Sequence, residues 1–500
     1  MTSTPNSLRA TLIANYAGRL WSGLANFAFV PLYVGYLGLE SWGLMGVYAS
    51  LQIWLSLLDL GLSTSVNRLL AQSSTPGAIA GRSRDLVRTY EICYWVMGLC
   101  AALAVVAAAP LIAHHWLRPD TLTPTSITSA LILIAALLAV QWPSLLYSGG
   151  LSGIGQQVRL NIVRSAATLT QVVGSLVVLA FLSPTIEAFF CWQIAVQALQ
   201  SLMLRWLLWR ELPGPRPRML RWGEWREERG FATGMVGITV LGTILTQLDK
   251  VVLSRALSLE EFGRYALVVA AASSLALVSS PIAMSVFPRF VRLAVAADDT
   301  ELRELYHRTS GLTAVATIPL AILLILFPAE TLTAWLGTAG HANAHWLALQ
   351  AAGSACNALV LVPFMLQLAH GWTSLSLRKN LIAITLWIPL MLVLVDRQGA
   401  AGAALAWLAL NLGYLLIEIP IMHARLLRGA ALSWYRDDLA PALMSSILVV
   451  GGARLVLPEG MDRLTTSAAL LAILTTAMLA CLAAMPRLLR HLLLRAGLKQ

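Results

Sequence analysis

The sequence has few charged residues and few cysteines, and both shortages restrict what the protein can be. Only 12% of its 500 residues are charged and 58% are hydrophobic, and the mean hydropathy of +0.73 lies far outside the range of ordinary soluble domains. The five cysteines all fall inside apolar segments without paired short spacings. They therefore indicate small buried side chains, and neither a disulfide framework nor a metal site.

Motifs for catalysis are also missing. The sequence contains no Gly-x-x-x-x-Gly-Lys phosphate loop and no paired Cys-x-x-Cys motif. A membrane glycosyltransferase would need a sizeable outer loop carrying acids or arginines to hold its donor, and the outer loops expected here are short. We therefore expect that the protein is not an enzyme and that it holds no metal and no cofactor.

What the sequence does contain is a series of long apolar segments. A helix needs about 20 apolar residues to cross a bilayer, and about fourteen segments approach or exceed that length. The prediction is an all-α polytopic membrane protein with about fourteen transmembrane helices. The predicted spans are residues 12–35, 43–66, 89–113, 127–149, 160–182, 186–208, 231–255, 264–287, 309–328, 346–370, 378–396, 399–424, 439–457 and 465–485.

The net charge of +11 indicates topology. The basic residues fall mainly in alternate loops and in the tail, without the groove-like clustering among aromatics that would favour nucleic acid. This pattern predicts that both termini are cytoplasmic, as an even number of spans also requires. The N-terminus has one arginine and no small-residue cleavage site, so we interpret the first apolar segment as an uncleaved span.

The chain carries an internal repeat. The heptapeptide LGLESWG at residues 37–43 returns as LSLEEFG at residues 257–263, a shift of 220 positions (257 − 37). A second match, between residues 159–161 and 378–380, has a shift of 219 (378 − 159). Duplicated helical bundles are the usual construction of carriers, with the ligand site at the interface of the repeats.

The repeat divides the predicted spans into lobes. Residues 1–209 form an N-lobe with spans one to six, and residues 230–430 form a C-lobe with spans seven to twelve. Residues 210–229 form a cytoplasmic linker with an interfacial helix, and residues 431–500 add two spans and a basic tail. Each repeat has an even number of spans, so the lobes should be related by an axis along the membrane normal, with a ligand cavity between them.

Charges inside the predicted spans are the strongest candidates for function. Each costs roughly 2.5–3.5 kcal/mol at a helix centre, so it normally faces a polar cavity or a partner. Arg19 and Lys250 come from opposite lobes, as capture of an anion in a central cavity would require. Either could instead extend to the membrane surface.

Asp249 is the first candidate for binding a coupling ion, followed by Glu418 and Asp59, which could also cap or pair near the inner surface. Neighbours on a helix diverge by about 100°, so we expect Asp249 and Lys250 not to bond each other.

Uncharged polar residues complete the predicted substrate site. Asn15, Asn26 and Gln247 lie in spans one and seven, close in sequence to the charged candidates. The alternative is that each one hydrogen-bonds a neighbouring helix.

Two regions of the chain carry motifs of a known family. They contain Asn15 to Pro31, the LGLESWG motif, Leu60-Gly61-Leu62, Asn67-Arg68, Gln247-Leu248-Asp249-Lys250 and Phe262-Gly263-x-Tyr265. These motifs resemble those of the polysaccharide-biosynthesis flippases of the multidrug/oligosaccharidyl-lipid/polysaccharide exporter superfamily. The span count and lobe pattern extend the similarity over nearly the whole chain.

The resemblance implies a carrier of the bacterial inner membrane. It would flip an undecaprenyl-diphosphate-linked oligosaccharide, the repeat unit of an O-antigen or exopolysaccharide, from cytoplasm to periplasm by alternating access driven by H⁺ or Na⁺. By this analogy Arg19 and Lys250 attract the diphosphate and Asp249 couples the ion. The implied partners are the lipid-diphosphate-linked oligosaccharide, membrane lipids and the polysaccharide polymerase or chain-length machinery, without nucleic acid.

Two alternatives stay open. A drug or cation antiporter of the same superfamily would favour acids over bases in its cavity, so Arg19 and Lys250 count against it. A membrane glycosyltransferase, or a structural partner of the glycan pathway, is the other.

Overall fold

The computed structural model describes residues 5–59, 62–73, 82–212, 222–337, 343–458 and 460–495. Within these ranges regular secondary structure is helical and no strand is present. Clustering of residue contacts divides the chain into two compact units, Met1–Arg264 and Tyr265–Gln500.

The described residues of the first unit form seven long or medium helices and the start of an eighth. The π-type turns Ile112–Trp116 and Val178–Leu182 extend the third and fifth helices. The helices are α1 (Pro5–Ser56), α2 (Leu62–Ser73), α3 (Arg82–Leu111), α4 (Pro124–Gly153), α5 (Gln157–Val177), α6 (Ile186–Glu211), α7 (Trp222–Ala256) and α8 (Leu259–Ala272), which continues into the second unit.

The second unit contains the remaining helices. The π-type turns Tyr414–Glu418 and Trp434–Leu439 interrupt its last third. The helices are α9 (Ser274–Ala296), α10 (Asp299–Leu326), α11 (Pro328–Leu336), α12 (Ala344–Ala369), α13 (Thr373–Gln398), α14 (Ala400–Gly413), α15 (Ile419–Leu426), α16 (Ala430–Ser433), α17 (Ala440–Val456), α18 (Arg463–Ala483) and α19 (Pro486–Arg495).

Ten stretches of the described residues are long and apolar enough to cross a membrane. They coincide with ten of the fourteen predicted spans, so the prediction of an all-α polytopic membrane protein is confirmed. The stretches are Ser83–Trp116, Pro124–Gly153, Gln157–Leu182, Leu259–Ala296, Asp299–Leu326, Ala344–Ala369, Thr373–Gln398, Ala400–Leu426, Ala430–Val456 and Arg463–Ala483.

The other four predicted spans fall on α1, α2, α6 and α7. Gly38 interrupts α1 with a left-handed φ of 79° and ψ of 171°, which separates the first predicted span from the second. Helix α6 has 26 residues and is therefore about 39 Å long, although its glutamines and Arg205 lower its hydropathy. The count of fourteen spans stays a prediction.

Short polar side chains fix where several helices begin. The hydroxyl of Thr123 accepts a hydrogen bond from the Ser126 amide at 3.2 Å at the start of α4. A carboxylate oxygen of Asp298 accepts from the Glu301 amide at 3.0 Å at the start of α10. These caps satisfy amides that the first helical turn leaves unpaired. The sequence itself therefore determines where these apolar helices begin.

Each unit has its own apolar core. In the first unit α4 packs against α3 and α6, with Tyr94 and Tyr147 fully buried among leucines. In the second unit α10 and α12 pack together, and Phe290 and Trp434 are fully buried. Large apolar side chains also cover the outside, as at Phe181, which is 82% exposed, as expected of a protein whose solvent is lipid.

The predicted lobe boundaries stay a prediction. The division by contacts falls at Arg264, so α7 is grouped with the first six helices, whereas the repeat places it in the C-lobe. In the predicted linker, residues 213–221 lie outside the described residues. Residues 222–229 belong to α7, which continues without interruption to Ala256.

Candidate functional site

Helix α7 carries three polar residues close in sequence, Gln247, Asp249 and Lys250, which we call the α7 cluster. Asp249 is 5% exposed and Gln247 is 8% exposed, whereas the side chain of Lys250 is 19% exposed. The ammonium of Lys250 donates to the Thr246 carbonyl at 2.8 Å and to the Asp249 carboxylate at 3.2 Å. An ion pair with a buried carboxylate therefore lies within a segment that the sequence identifies as a span.

The contact between Asp249 and Lys250 corrects a prediction. We expected these neighbours not to bond because their Cβ atoms diverge by about 100° on the helix. The divergence applies to the Cβ directions only. The flexible four-carbon stem of lysine turns back along the helix, and the ammonium reaches both Thr246 and Asp249.

The α7 cluster keeps unused hydrogen-bonding capacity. An ammonium has three N–H donors, and two of those of Lys250 are engaged by the bonds just given. Among the described residues the buried Oε1 of Gln247 has no hydrogen-bond partner. A free ammonium donor and, three positions earlier on the same helix, an unsatisfied amide oxygen suit a ligand that carries both an anionic oxygen and a hydroxyl.

The other predicted substrate residues lie on α1. Helix α1 packs against α5 and α7, but the side chains of Asn15, Arg19 and Asn26 lie outside the described residues. The structure therefore brings together the predicted coupling residue Asp249 and Lys250, with Gln247 on the same helix. The meeting of Arg19 with Lys250 stays a prediction.

Asp59 is held by hydroxyl groups. It lies in the 3₁₀ turn Leu57–Asp59 after α1. Its Oδ2 accepts from the Ser63 hydroxyl at 2.7 Å, and its Oδ1 accepts from the buried Tyr94 hydroxyl. In the part of the chain that the structure describes, no basic side chain forms an ion pair with Asp59.

Glu418 forms a buried ion pair that the sequence reasoning missed. Lys379 of α13 donates to its Oε2, and the amide of Gln367 donates to its Oε1 at 2.9 Å. The ammonium of Lys379 also lies 4.4 Å from the ring centroid of Tyr414. Glu418 is 3% exposed and Gln367 is fully buried, so these polar groups satisfy one another within the second unit.

A signal for Lys379 was present in the repeat. Residues 159–161 read Arg-Leu-Asn and residues 378–380 read Arg-Lys-Asn. Where the first copy has Leu160, which is 4% exposed, the second copy has a lysine. A charge at a position that is buried in the other copy requires a partner.

A carboxylate that the sequence analysis did not single out, Glu91, lies in the first unit. It is 2% exposed and accepts from Arg205 at 2.6 Å, from Arg88 at 2.9 Å and from the Tyr147 hydroxyl at 2.8 Å. Both arginines are nearly half exposed. The group ties α3, α4 and α6 together, so its geometry indicates a structural role.

The two copies of the repeated heptapeptide contact each other. A β-carbon added at Gly43 would stand 2.5 Å from the carbonyl oxygen of Leu259. A β-carbon at Gly263 would overlap the carbonyl oxygen of Leu39. Leu39 and Leu259 are equivalent in the repeat, as are Gly43 and Gly263, because both pairs are 220 positions apart (259 − 39 and 263 − 43). The contact is therefore reciprocal.

Glu40 fastens the same region to the segment between α3 and α4. Its two oxygens accept hydrogen bonds from the amides of Thr121 at 3.0 and 3.1 Å and of Leu122 at 2.8 Å, and from the Asp120 amide and the Thr121 hydroxyl. Burial would raise the pKa of the Glu40 carboxyl, but these hydrogen bonds outweigh burial and hold its pKa below the ordinary value.

The repeated copy of this acid is used differently. Glu260 pairs with Arg264 at 2.6 Å, and the Ser258 hydroxyl accepts from the Glu261 amide at 3.3 Å, which caps α8. No group of three histidine, cysteine or carboxylate side chains within the described ranges could hold a metal ion.

Comparison with solved structures identifies the fold. The structure of the lipid II flippase MurJ in an inward closed conformation aligns over 97% of this chain and 99% of its own, with a TM-score of 0.71 at 12% identity. An inward-facing multidrug resistance MATE family transporter of the MOP superfamily aligns over 83% of this chain and 94% of its own, with a TM-score of 0.61 at 13% identity. The chain has the fold of this superfamily of membrane transporters.

The sequence then gives the family. The pattern described as "Polysaccharide biosynthesis protein" matches residues 44–341, more than half of the chain. The chain belongs to that family. A protein of Shigella flexneri named "Putative O-antigen transporter" is 20% identical over 375 residues, which are 74% of this chain and 87% of that protein. The predicted resemblance to flippases of this superfamily is thereby confirmed.

Proposed function

We propose that this protein carries an undecaprenyl-diphosphate-linked oligosaccharide from the cytoplasmic to the periplasmic leaflet of a bacterial inner membrane. Its membership of the polysaccharide biosynthesis family supports a glycan precursor as the substrate. The names of two similar proteins, an O-antigen transporter and a lipid II flippase, support a lipid-linked glycan. Both termini are cytoplasmic, as the distribution of basic residues predicts.

The observation that carries the proposal is the partly buried ammonium of Lys250, which has one N–H donor not engaged by Thr246 or Asp249. A diphosphate offers several anionic oxygens, and a charge-assisted hydrogen bond to one of them is among the stronger polar contacts. Gln247 would accept from a sugar hydroxyl beside it. Arg19, in the first span, is the proposed second anchor for the diphosphate, with Asn15 and Asn26 as polar neighbours.

The Asp249–Lys250 pair offers a route to ion coupling. When a phosphate oxygen engages Lys250, the carboxylate of Asp249 shares its cation with the ligand. A buried carboxylate that must share its cation is destabilised, so Asp249 would then take up H⁺ or Na⁺. Substrate and coupling ion are linked because each binds one member of the same ion pair, so the binding of one favours the binding of the other. Glu418 and Asp59 are the second and third candidates for coupling.

Alternation between the two sides of the membrane requires a contact that opens. The reciprocal packing of the two heptapeptides, Gly43 on Leu259 and Gly263 on Leu39, is the proposed outer closure of the pathway. The glycan would leave when these copies separate, for use by polymerase and chain-length machinery on the outer side.

Surface glycan in a bacterium that lacks the gene and carries plasmid-borne variants tests this function. Lys250→Ala and Arg19→Ala should abolish surface glycan and cause the lipid-linked precursor to accumulate, at unchanged protein abundance. The matched control is Arg292→Ala, which removes an exposed arginine of α9 and should leave export unaffected. Normal export by both the Lys250 and Arg19 variants would contradict the site.

The fold shared with a multidrug transporter makes a drug or cation antiporter the second candidate. Deletion would then change drug sensitivity and leave the surface glycan unaltered. Turnover of sugar nucleotides by the purified protein would instead establish an enzyme. Neither result is expected if the protein carries an anionic lipid-linked glycan that binds the free ammonium donor of Lys250.

A further inference from the structure

The second unit contains a cavity that the proposed transport pathway does not use. Its volume is about 790 Å³, and it lies among the start of α10, the turn Trp434–Leu439 and the start of α19. That volume is within the range of small-ligand sites. The three elements belong to the end of the unit that the basic residues assign to the cytoplasm.

Arginines from all three elements line the cavity. They are Arg303 and Arg308 of α10, Arg436 of the turn and Arg487 of α19. Four carboxylates line it as well, so the sum of formal charges is zero when the histidines are neutral. The chemistry of a ligand that fits the cavity therefore depends on which of these charges remain available to it.

Three of the four carboxylates already have partners. The fourth, Asp299, lies in the first turn of α10, where a carboxylate complements the helix dipole. The pairs are Glu304 with His491 at 3.2 Å, Asp437 with Arg436 at 2.8 Å and Asp438 with His307 at 2.6 Å.

Two of the arginines keep most of their donors. Arg303 gives one N–H to the carbonyl of Arg428 at 2.9 Å, and a guanidinium has five such donors. Among the described residues neither Arg303 nor Arg487 forms an ion pair with a carboxylate. The N–H donors of these two guanidinium groups therefore remain available, and they suit the oxygens of a phosphate.

The apolar side of the cavity indicates what else the ligand carries. Met485 and Leu488 line it and are 7% and 6% exposed. Among the described lining residues there is no Phe, Tyr or Trp on which a nucleobase could stack. Helix α19 begins three positions after the last residue of the apolar α18 (486 − 483), which places the cavity close to the membrane surface. Basic pockets between membrane helices at such a surface bind lipid headgroups.

We propose that this cavity binds the phosphate of an anionic phospholipid, held by Arg303 and Arg487. The glycerol portion would lie against Met485 and Leu488, and the acyl chains would remain in the bilayer. The site is separate from the α7 cluster and does not depend on the identity of the transported glycan.

Native mass spectrometry of the purified full-length protein tests the site. Phosphatidylglycerol should bind more tightly than phosphatidylcholine to the unaltered protein. Each arginine near a lipid surface contributes about 1 kcal/mol, so Arg303→Gln and Arg487→Gln should each weaken phosphatidylglycerol binding about five-fold. The matched control is Arg490→Gln, an exposed arginine of α19 that does not line the cavity, and its affinity should be unchanged.

Each contrary outcome has a definite meaning. Equal binding of the two lipids by the unaltered protein would overturn the proposal without any variant. An equal loss in the Arg490 variant would reduce the effect to general surface charge. Displacement of the lipid by millimolar inorganic phosphate would assign the cavity to a soluble anion. Should the glutamine variants fold poorly, Arg303→Lys and Arg487→Lys keep the charge, remove the planar fork and should still weaken binding.

Discussion

The carbonyl oxygen of Leu259 lies against the α-carbon of Gly43 so closely that a β-carbon there would stand 2.5 Å away. Gly263 meets the carbonyl of Leu39 in the same way. The motif that reveals the duplication in the sequence is thus also the place where its two copies pack together. Only glycine permits an approach of this kind between backbones.

Gly263→Ala should disturb this packing. The added β-carbon would overlap the carbonyl oxygen of Leu39, a backbone atom that cannot turn aside as a side chain could. If the contact is the outer closure, the variant favours conformations in which the two copies are apart. Reaction of a cysteine placed at Lys250 with a membrane-impermeant thiol reagent added outside should then become faster.

Gly242→Ala is the matched control, because it also changes a helical glycine and a β-carbon there would have no atom within 4 Å. The rate of labelling should stay at the background level in this variant. A Gly263→Ala protein that is stable and labelled no faster than the control would show that the contact does not close the pathway.

Glu40→Gln should destabilise the protein at neutral pH. The amide group that replaces one carboxylate oxygen would point a donor at amides that are themselves donors. The loss should be about 1–3 kcal/mol, the usual cost of leaving buried polar groups unpaired. Thermal unfolding of the purified protein measures it, with the exposed Glu261→Gln as a control that should unfold at the normal temperature.

The same carboxyl predicts a dependence on pH. Its pKa is lowered from 4.5 in the folded protein, so its contribution is complete above that value and is lost as the pH falls through the lowered pKa. The difference in unfolding temperature between the unaltered protein and Glu40→Gln should therefore persist at pH 6 and shrink only in stronger acid. A difference that vanished already near pH 6 would contradict the assignment.

Lys379→Met should be strongly destabilising, because it leaves the carboxylate of Glu418 buried without its cation. Removing one member of a buried pair costs about 3–5 kcal/mol. The double variant Lys379→Met with Glu418→Gln should recover most of this loss, since no buried charge remains. Protein abundance in the membrane and thermal unfolding report both effects.

Transport by the double variant then separates structure from coupling. If the double variant recovers gradient-dependent export together with its stability, the Lys379–Glu418 pair is purely structural. Stable protein that exports without response to the gradient would make Glu418 the coupling residue. A double variant no more stable than Lys379→Met would contradict the ion pair itself.

Asp249→Asn should reduce the dependence of export on the ion gradient. The amide cannot take up a proton, and it binds Na⁺ less well than a carboxylate. Export measured with and without a protonophore or a Na⁺ ionophore shows the dependence directly. An unchanged dependence would move coupling to Glu418 or Asp59.

Much of the fold could be predicted from the sequence because the bilayer imposes a simple rule. Apolar length located ten of the spans. Charge in an apolar segment also singled out Asp249 and Lys250 as candidates. These inferences need only composition and spacing.

Partners across the fold could not be predicted in the same way. Lys379 and Glu418 are 39 positions apart, and no local pattern joins them. The prediction about Asp249 and Lys250 was wrong for another reason. Helix geometry gives the direction of Cβ and says little about where a flexible ammonium ends. Tyr147 and Gln367 are 220 positions apart (367 − 147), and each donates to a buried carboxylate, Glu91 and Glu418 respectively. The two carboxylates are not themselves equivalent in the repeat.

Flipping by the purified protein tests the central claim most directly. Proteoliposomes would hold a lipid-diphosphate-linked oligosaccharide, and a membrane-impermeant glycosidase added outside would report how fast inner-leaflet glycan becomes accessible. The unaltered protein should expose the glycan much faster than protein-free vesicles, and Lys250→Ala should reduce the rate to that of the vesicles alone. Exposure no faster with the unaltered protein than without it, under either an H⁺ or a Na⁺ gradient, would contradict the account.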